Sequence, residues 1–339
     1  MNFAHSATTR PMPSGPEIVN IQAGAGNGVY AFVSRSGVFR RTDGHPWTKV
    51  LEDQDAAWGQ IFRRPDGKLM LSNFAGGSVY VSSDDGAHWR KEGVSQKLPE
   101  LRQFDEHTYA RRTAFTAGGT AYVLSSEALL FSDNGGISWQ SREVPQQSRT
   151  DEGETQSLAA SDGAVFLLSG GTLYKSQTAG KSWSVVEQAA GAASPIARGI
   201  DDKAPLLRID PAGNLLAMGP AARSQKIEVS TDGGRSWHAE RYGFQGNAAF
   251  SMRLFGPEPD AAYFLVRSDP PSVQPFKAIY RKPAAGAAVE ISYDANKVRK
   301  IMHAPNGKLY MVLLDYSDAL ESVDGGKTWN AISHDGITW

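Results

Sequence analysis

One short stretch of the chain holds acid, base and cation together: Asp105, Glu106, His107 and Tyr109, with Arg111 and Arg112 just behind them. Paired carboxylates beside a tyrosine and an arginine are the groups that acid/base cleavage of a glycosidic bond needs. The same composition also describes a solvated loop, and that reading stays open beside the catalytic one. Asp201-Asp202-Lys203 is a second carboxylate pair with the same two readings, and Tyr293-Asp294 and Asp315-Tyr316 add acidic-aromatic pairs. Five arginines, Arg63, Arg112, Arg208, Arg253 and Arg299, all fall in expected first strands, each in a different repeat unit. A guanidinium reads a carboxylate through two parallel hydrogen bonds, so a set of them on one surface is suited to an acidic ligand. Trp58 stands apart from the other tryptophans and can stack a sugar, anchor a partner or pack between structural units. No phosphate-binding loop, dinucleotide fingerprint or zinc-protease motif occurs, and the seven histidines are scattered without metal-ligand spacing, so no cofactor and no metal are expected.

The frame that must position these groups is written several times along the chain. Ser322 to Trp329 reads S-V-D-G-G-K-T-W, Ser230 to Trp237 reads S-T-D-G-G-R-S-W, and Ser82 to Trp89 reads S-S-D-D-G-A-H-W. Ser132 to Trp139 keeps the frame with Asn134 at the Asp position, and Ser176 to Trp183 keeps it with Thr178. Arg40 to Trp47 is a worn copy that holds Gly44 and the tryptophan, and Lys282 to Val289 is an eroded one that kept Gly286. Asp and Gly in tandem mark a tight turn whose carboxylate accepts backbone N–H bonds, and the Trp that follows is a large apolar anchor. Counted by these copies, the chain has seven units with a period of about 40 to 54 residues, the spacing of a propeller with four strands per blade.

Within each unit a first strand runs into a turn cluster such as Pro65-Asp66-Gly67 or Pro305-Asn306-Gly307. A continuously apolar segment follows, for example Val29–Val33, Val165–Leu168 or Leu309–Leu313, which suits a strand covered on both faces. A third strand, the repeat and a more polar outer strand complete the unit, and no helix is needed.

The repeat resembles the Asp-box, or bacterial neuraminidase repeat, with full matches at Asp84, Asp232 and Asp324. That resemblance implies a seven-bladed β-propeller of four-stranded antiparallel blades, an all-β fold with the boxes at the turn between third and fourth strands. It also implies that the boxes lie opposite the ligand-binding face. Asp84, Asn134, Asp232 and Asp324 are then structural, as are Trp89, Trp139, Trp183, Trp237 and Trp329. Sialidases share the box and use three arginines with a Tyr/Glu pair and an Asp. Their Arg-Ile-Pro start is missing here, where Glu17-Ile18-Val19-Asn20-Ile21 fills the first strand, and the closest string, Phe62-Arg63-Arg64-Pro65, runs into a turn toward the box face. In size and blade count the chain is similar to the photosystem II assembly factors, which bind polypeptide partners.

A single propeller is expected over 17–339, with blades at about 17–51, 58–93, 109–145, 156–188, 205–242, 248–292 and 298–333, behind a flexible segment 1–16. Thirty-five Gly and eighteen Pro suit many short strands and turns. A formal charge of −1 gives no field for nucleic acid, no apolar run is long enough to span a bilayer, and the absence of cysteine removes thiol chemistry. Residues 1–16 are polar and Pro-rich without the apolar core of a signal peptide; a periplasmic or secreted mature chain is expected, with the cytoplasm left open. The chain is expected to be a monomer.

Two functional classes follow. In the first, a non-catalytic scaffold grips a protein or glycan partner, as an assembly factor, inhibitor or immunity protein, with Arg63, Arg112, Arg208, Arg253, Arg299, Trp58, Asp315 and Tyr316 at a channel mouth. In the second, a glycoside hydrolase or lyase acts on an acidic polysaccharide, with its catalytic groups drawn from Asp105, Glu106, Tyr109, Asp201 and Asp202. Two carboxylates about 5–10 Å apart in one pocket would mark the second.

Overall fold

A computed structural model describes residues 17–24, 28–74, 76–98, 111–145, 156–189, 206–210, 212–218, 227–240, 261–267, 276–283, 289–295, 297–304, 306–313 and 318–333. They form seven antiparallel sheets, each of contiguous sequence. Blade 1 holds β1 (Ile18–Ala23), β2 (Gly28–Val33), β3 (Gly37–Thr42) and β4 (Thr48–Leu51). Blade 2 holds β5 (Gln60–Arg63), β6 (Leu69–Ser72), β7 (Ser78–Ser82) and β8 (Arg90–Val94). Blade 3 holds β9 (Thr113–Phe115), β10 (Ala121–Leu124), β11 (Leu129–Ser132) and β12 (Gln140–Arg142). Blade 4 holds β13 (Gln156–Ala160), β14 (Val165–Ser169), β15 (Thr172–Ser176) and β16 (Ser184–Val185). Blade 5 holds β17 (Leu206–Ile209), β18 (Leu215–Met218), β19 (Ile227–Ser230) and β20 (His238–Glu240). Blade 6 shows three strands among the described residues, β21 (Ala261–Arg267), β22 (Phe276–Pro283) and β23 (Val289–Ile291). Blade 7 holds β24 (Val298–His303), β25 (Leu309–Leu313), β26 (Ala319–Ser322) and β27 (Asn330–Ala331). Helical backbone among the described residues is confined to the 3₁₀ turn Asp55–Trp58 and to Arg111 and Arg112.

Burial falls from the second strand outward, as the apolar patterning requires. β2 is buried at all six positions, β14 at all five, and β25 at four of five, whereas β8 (RKEGV) is largely exposed. In β8 the charged side chains blunt the open edge that the blade presents to solvent. The turns from first to second strand repeat one geometry: Gly67, Gly119, Gly213 and Gly307 all sit at φ of +83 to +85°, and each donates its N–H back to the residue three before it. A type I turn closed by a left-handed glycine is what these Gly-terminated clusters encode.

Among the described residues the core is a series of apolar sandwiches between consecutive blades. Tyr30, Phe32 and Val38 of blade 1 pack on Ile61, Leu69 and Leu71 of blade 2, and equivalent clusters join blades 2 and 3, 3 and 4, 4 and 5, and 6 and 7. Ile18, Ile21, Val29 and Trp47 of blade 1 pack on Met302, Tyr310 and Val312 of blade 7, so the first and last blades meet without sharing a strand.

The inner strands leave one edge of their backbone facing the ring interior. Side chains of the neighbouring blade satisfy it: the Gln22 amide both donates to and accepts from the Ile61 backbone, and Leu207 N–H donates to Ser157 Oγ at 2.8 Å. Asn20 Nδ2 donates to Gly59 O at 3.4 Å, while Lys300 Nζ donates to Asn20 Oδ1 at 2.6 Å, linking blades 7, 1 and 2 around the interior.

Candidate functional site

The boxes are closed hydrogen-bonded turns in which the carboxylate is held by its own serine or threonine neighbours. In blade 7, Ser322 Oγ donates to Asp324 Oδ1 (2.8 Å) and accepts from Gly326 N (2.8 Å), and Asp324 also accepts from Thr328 N (3.0 Å) and Thr328 Oγ1 (2.6 Å). Blade 5 repeats this with Ser230, Asp232, Gly234 and Ser236. The Ser236 hydroxyl and N–H hold the Asp232 carboxyl down at about 2, and Thr328 lowers Asp324 by the same means. In blade 2 His88 stands where the others have Ser or Thr; its N–H and ring nitrogen, with Ser82, keep Asp84 well below the usual carboxylate range. Asn134 and Thr178 preserve the same frame with neutral groups.

Each box tryptophan lies in the sandwich with the preceding blade, so the repeat staples blades together. Trp89, Trp237 and Trp329, which follow the full boxes, donate to the carbonyl of their own box glycine, Gly86, Gly234 and Gly326. In blades 4 and 1 the indole reaches outward instead. Trp183 donates to Glu143 O of blade 3, and Trp47 to Ile332 O of blade 7.

On the opposite face, the link from β4 to β5 is held by Asp53. Its Oδ1 accepts from Asp55 N (2.9 Å) and its Oδ2 from the Tyr80 hydroxyl (2.6 Å). Burial works against the charged form, but these bonds prevail and the Asp53 carboxyl is lowered. The anchored 3₁₀ turn presents Trp58 at 61 % exposure, beside the exposed Gln60 at the start of inner strand β5.

The arginines stand at different heights. Arg112 directly precedes β9, at the loop-face end; it is buried, and its Nη2 lies 3.5 Å from Gln156 Oε1 of β13. Arg208 sits within β17, with Nη1 donating to Leu207 O at 2.9 Å. Burial lowers its pKa to about 10, and the positive charge of Arg111 adds to the effect. Strands β9, β13 and β17 are successive neighbours, which brings these cations of blades 3 and 5 to one side of the interior. Arg299 is the second residue of β24, also at the loop-face end, and is partly buried. Arg63 is the last residue of β5, at the box-face end: it donates to Gly67 O (2.8 Å) and pairs with Asp85 (3.1 Å) of the blade 2 box, away from the channel mouth expected for it.

Asp105, Glu106, Tyr109, Asp201, Asp202, Arg253, Asp315 and Tyr316 lie outside the described residues. Tyr293 packs its ring edge-on against Trp329 at 6.1 Å, which assigns it to the blade 6–7 seam. Gln156 and the Asp53–Tyr80 brace were not among the expected site residues; their relevance comes from neighbours in space, and no local motif marks them.

The BNR/Asp-box repeat model matches residues 228–239, the span that contains the blade 5 box. No curated protein matches the sequence. Among solved structures the chain is similar to PorZ, a bacterial surface component of the type-IX secretion system of Porphyromonas gingivalis (TM-score 0.54, 12% identity, covering 93% of this chain and 39% of that one). It is also similar to a catalytically inactive virginiamycin B lyase from Staphylococcus aureus with quinupristin (TM-score 0.51, 12% identity, 90% and 94% covered). A YCF48 protein bound to a D1 peptide matches at a TM-score of 0.46 with 16% identity over 85% of this chain and 86% of that one. At these identities the likeness is one of fold. Sequence repeat and sheet architecture agree: the chain is a β-propeller that carries the BNR/Asp-box repeat.

Proposed function

We propose that the protein is a non-catalytic binding scaffold whose loop face and arginine-lined channel mouth hold an acidic segment of a protein partner, in the manner of an assembly factor or inhibitor. The observation that carries this reading is the convergence of Arg112 and Arg208 from blades 3 and 5, with Arg111 close enough to Arg208 to disfavour its charge. A carboxylate arriving from a partner would gain charge-assisted hydrogen bonds from these cations. Trp58, fixed on its braced turn at the same face, supplies an aromatic anchor of the kind that dominates protein interfaces. Arg253, Arg299, Asp315 and Tyr316 complete the proposed set. The resemblance to other Asp-box proteins supports an extracytoplasmic setting; among the described residues no helix is long and apolar enough to cross a membrane.

The test is affinity capture from an extract of the source organism with the wild type and with Arg112→Gln/Arg208→Gln, alongside a reducing-sugar assay on polygalacturonate. One stoichiometric protein, absent with the double variant, is the expected result. Sugar release without a captured protein would replace the scaffold with a hydrolase or lyase drawing on Asp105, Glu106, Asp201 and Asp202.

A further inference from the structure

The turn that carries Trp58 presents a second chemical group beside the ring. In a 3₁₀ turn, side chains three apart in sequence lie one above the other. Asp55–Trp58 is such a turn, so its first and last residues, a carboxylate and an indole, share one side. Both are exposed, whereas Ala56 and Ala57 between them are buried in the sandwich of blades 1 and 2. The Asp55 carboxylate makes no hydrogen bond or ion pair with a described residue, and the Trp58 ring stacks on none.

The backbone beneath the pair is fixed. Besides the Asp53 brace, Gly59 donates to Ala56 O at 3.0 Å and accepts from Asn20 Nδ2. A methyl group on Gly59 would meet Leu71, Ala56 and Ser72 at 3.1–3.2 Å, so the turn sits tightly on β6. Backbone bonds and packing hold the turn, which leaves the two exposed side chains available to a ligand at little ordering cost.

The charge around the pair is negative. The stretch from Lys49 to Trp58 holds three carboxylates, Glu52, Asp53 and Asp55, against one cation. That cation is engaged: Lys49 Nζ lies 3.7 Å from Glu52 and 5.5 Å from the centre of the Phe39 ring. Arg35, on the adjoining β2–β3 turn, forms no ion pair with these acids. Lys49 thus shows within the chain how a cation sits between an aromatic face and a carboxylate. Trp58 and Asp55 offer the same two groups outward.

We propose that Trp58 and Asp55 receive an arginine side chain of the protein partner, its guanidinium stacked on the indole and paired with the carboxylate. This rests on the scaffold reading and extends it: the bound segment carries an arginine as well as the acids that Arg112 and Arg208 hold. A guanidinium is planar, stacks on an aromatic face and gives a carboxylate two parallel bonds, so it matches both groups at once. A sugar would also stack on the indole, but its hydroxyls leave the local negative charge uncompensated.

The probe is a capped Gly-Arg-Gly peptide, titrated at fixed ionic strength into protein with isotope-labelled tryptophan and followed by NMR. The Trp58 indole resonance, assigned through Trp58→Phe, should shift saturably, and Asp55→Asn should weaken binding about threefold or more. That variant should melt with the wild type, because the carboxylate makes no bond within the fold. Gly-citrulline-Gly, the neutral isostere, should give no saturable shift. No shift with the arginine peptide, an equal response to citrulline, or insensitivity to Asp55→Asn would overturn the proposal. A saturable shift with chitotriose that ignores Asp55→Asn would reassign the pair to a glycan. In the affinity capture, Asp55→Asn/Trp58→Ala should reduce the retained partner about tenfold or more. A partner kept by that variant but lost with Arg112→Gln/Arg208→Gln would remove the arginine site and leave the scaffold standing. A wild type that captures nothing would overturn the scaffold first, and the arginine site with it.

Discussion

The indole N–H of Trp47 donates to the carbonyl of Ile332 at 2.8 Å across 285 residues of sequence. That bond, together with the apolar cluster around Trp47, holds the last blade against the first. Trp47→Phe keeps most of the packing and orphans a single carbonyl, and should cost about 1 kcal/mol. Trp47→Ala also opens a cavity at the seam and should cost about 3–5 kcal/mol in urea unfolding. Equal losses for the two variants would mean that the indole bond, not the packing, governs closure.

The box carboxylates make stability depend on acid. Asp232 is held at about 2 by Ser236, below the ordinary aspartate value near 3.9 of an unfolded chain. A lowered pKa contributes its full stabilisation above about pH 4 and loses it as pH falls toward 2. Asp232→Asn should therefore melt below the wild type at pH 7 and converge with it near pH 2. Asn134→Asp is the reverse experiment. Asn134 already accepts from Ser132 and Ser138 N and now donates to Ser138 Oγ (2.9 Å); as a carboxylate it would accept from that hydroxyl, as Asp232 does from Ser236. A gain of about 0.5–1 kcal/mol at pH 7 that vanishes in acid is expected. A pH-independent change in either variant would refute this account of the box.

Asp85 occupies a left-handed position, φ 54°, which the blade 3, 5 and 7 boxes give to Gly135, Gly233 and Gly325. Its carboxylate pairs with Arg63 (3.1 Å) and Arg40 (3.5 Å), and its carbonyl accepts from the Tyr30 hydroxyl (2.6 Å). The strain costs roughly 1–2 kcal/mol and partly exposed ion pairs return about 0–1 each. Asp85→Gly removes both terms and should stay within about 0.5 kcal/mol of wild type. Asp85→Ala keeps the strain and loses the pairs, and should fall by about 1 kcal/mol. Thermal unfolding of the two side by side decides; equal destabilisation would mean that the ion pairs outweigh the backbone.

How much of this was legible from sequence depended on distance along the chain. Every bond of a box lies within eight residues, so Ser322, Asp324, Gly326 and Thr328 announce themselves. The turns ending in Gly67 and Gly307 do so for the same reason. The heights of the arginines were only partly legible: the turn after Arg63 places it at the box end of β5, whereas nothing local marks Arg112 as the residue that enters β9 from the loop end.

Arg208 ties stability to binding in opposite directions. Its pKa, lowered to about 10 by burial and by Arg111, means that the folded state holds this proton less tightly than the unfolded chain does. The charged form is thus a liability at neutral pH, and this group's contribution to stability improves only as pH rises through 10 toward its ordinary value. Arg208→Met replaces a half-buried cation with an apolar side chain of similar length. Allowing for the solvent that still reaches the side chain, it should stabilise the free protein by about 1–2 kcal/mol at pH 7. The same substitution should weaken the acidic partner about tenfold or more, because the penalty it removes is the one a carboxylate would offset. Arg208→Lys should preserve more of the binding and less of the stabilisation. A protein that loses stability on Arg208→Met would show that the guanidinium is a structural strut, and the channel would then need another explanation for its arginines.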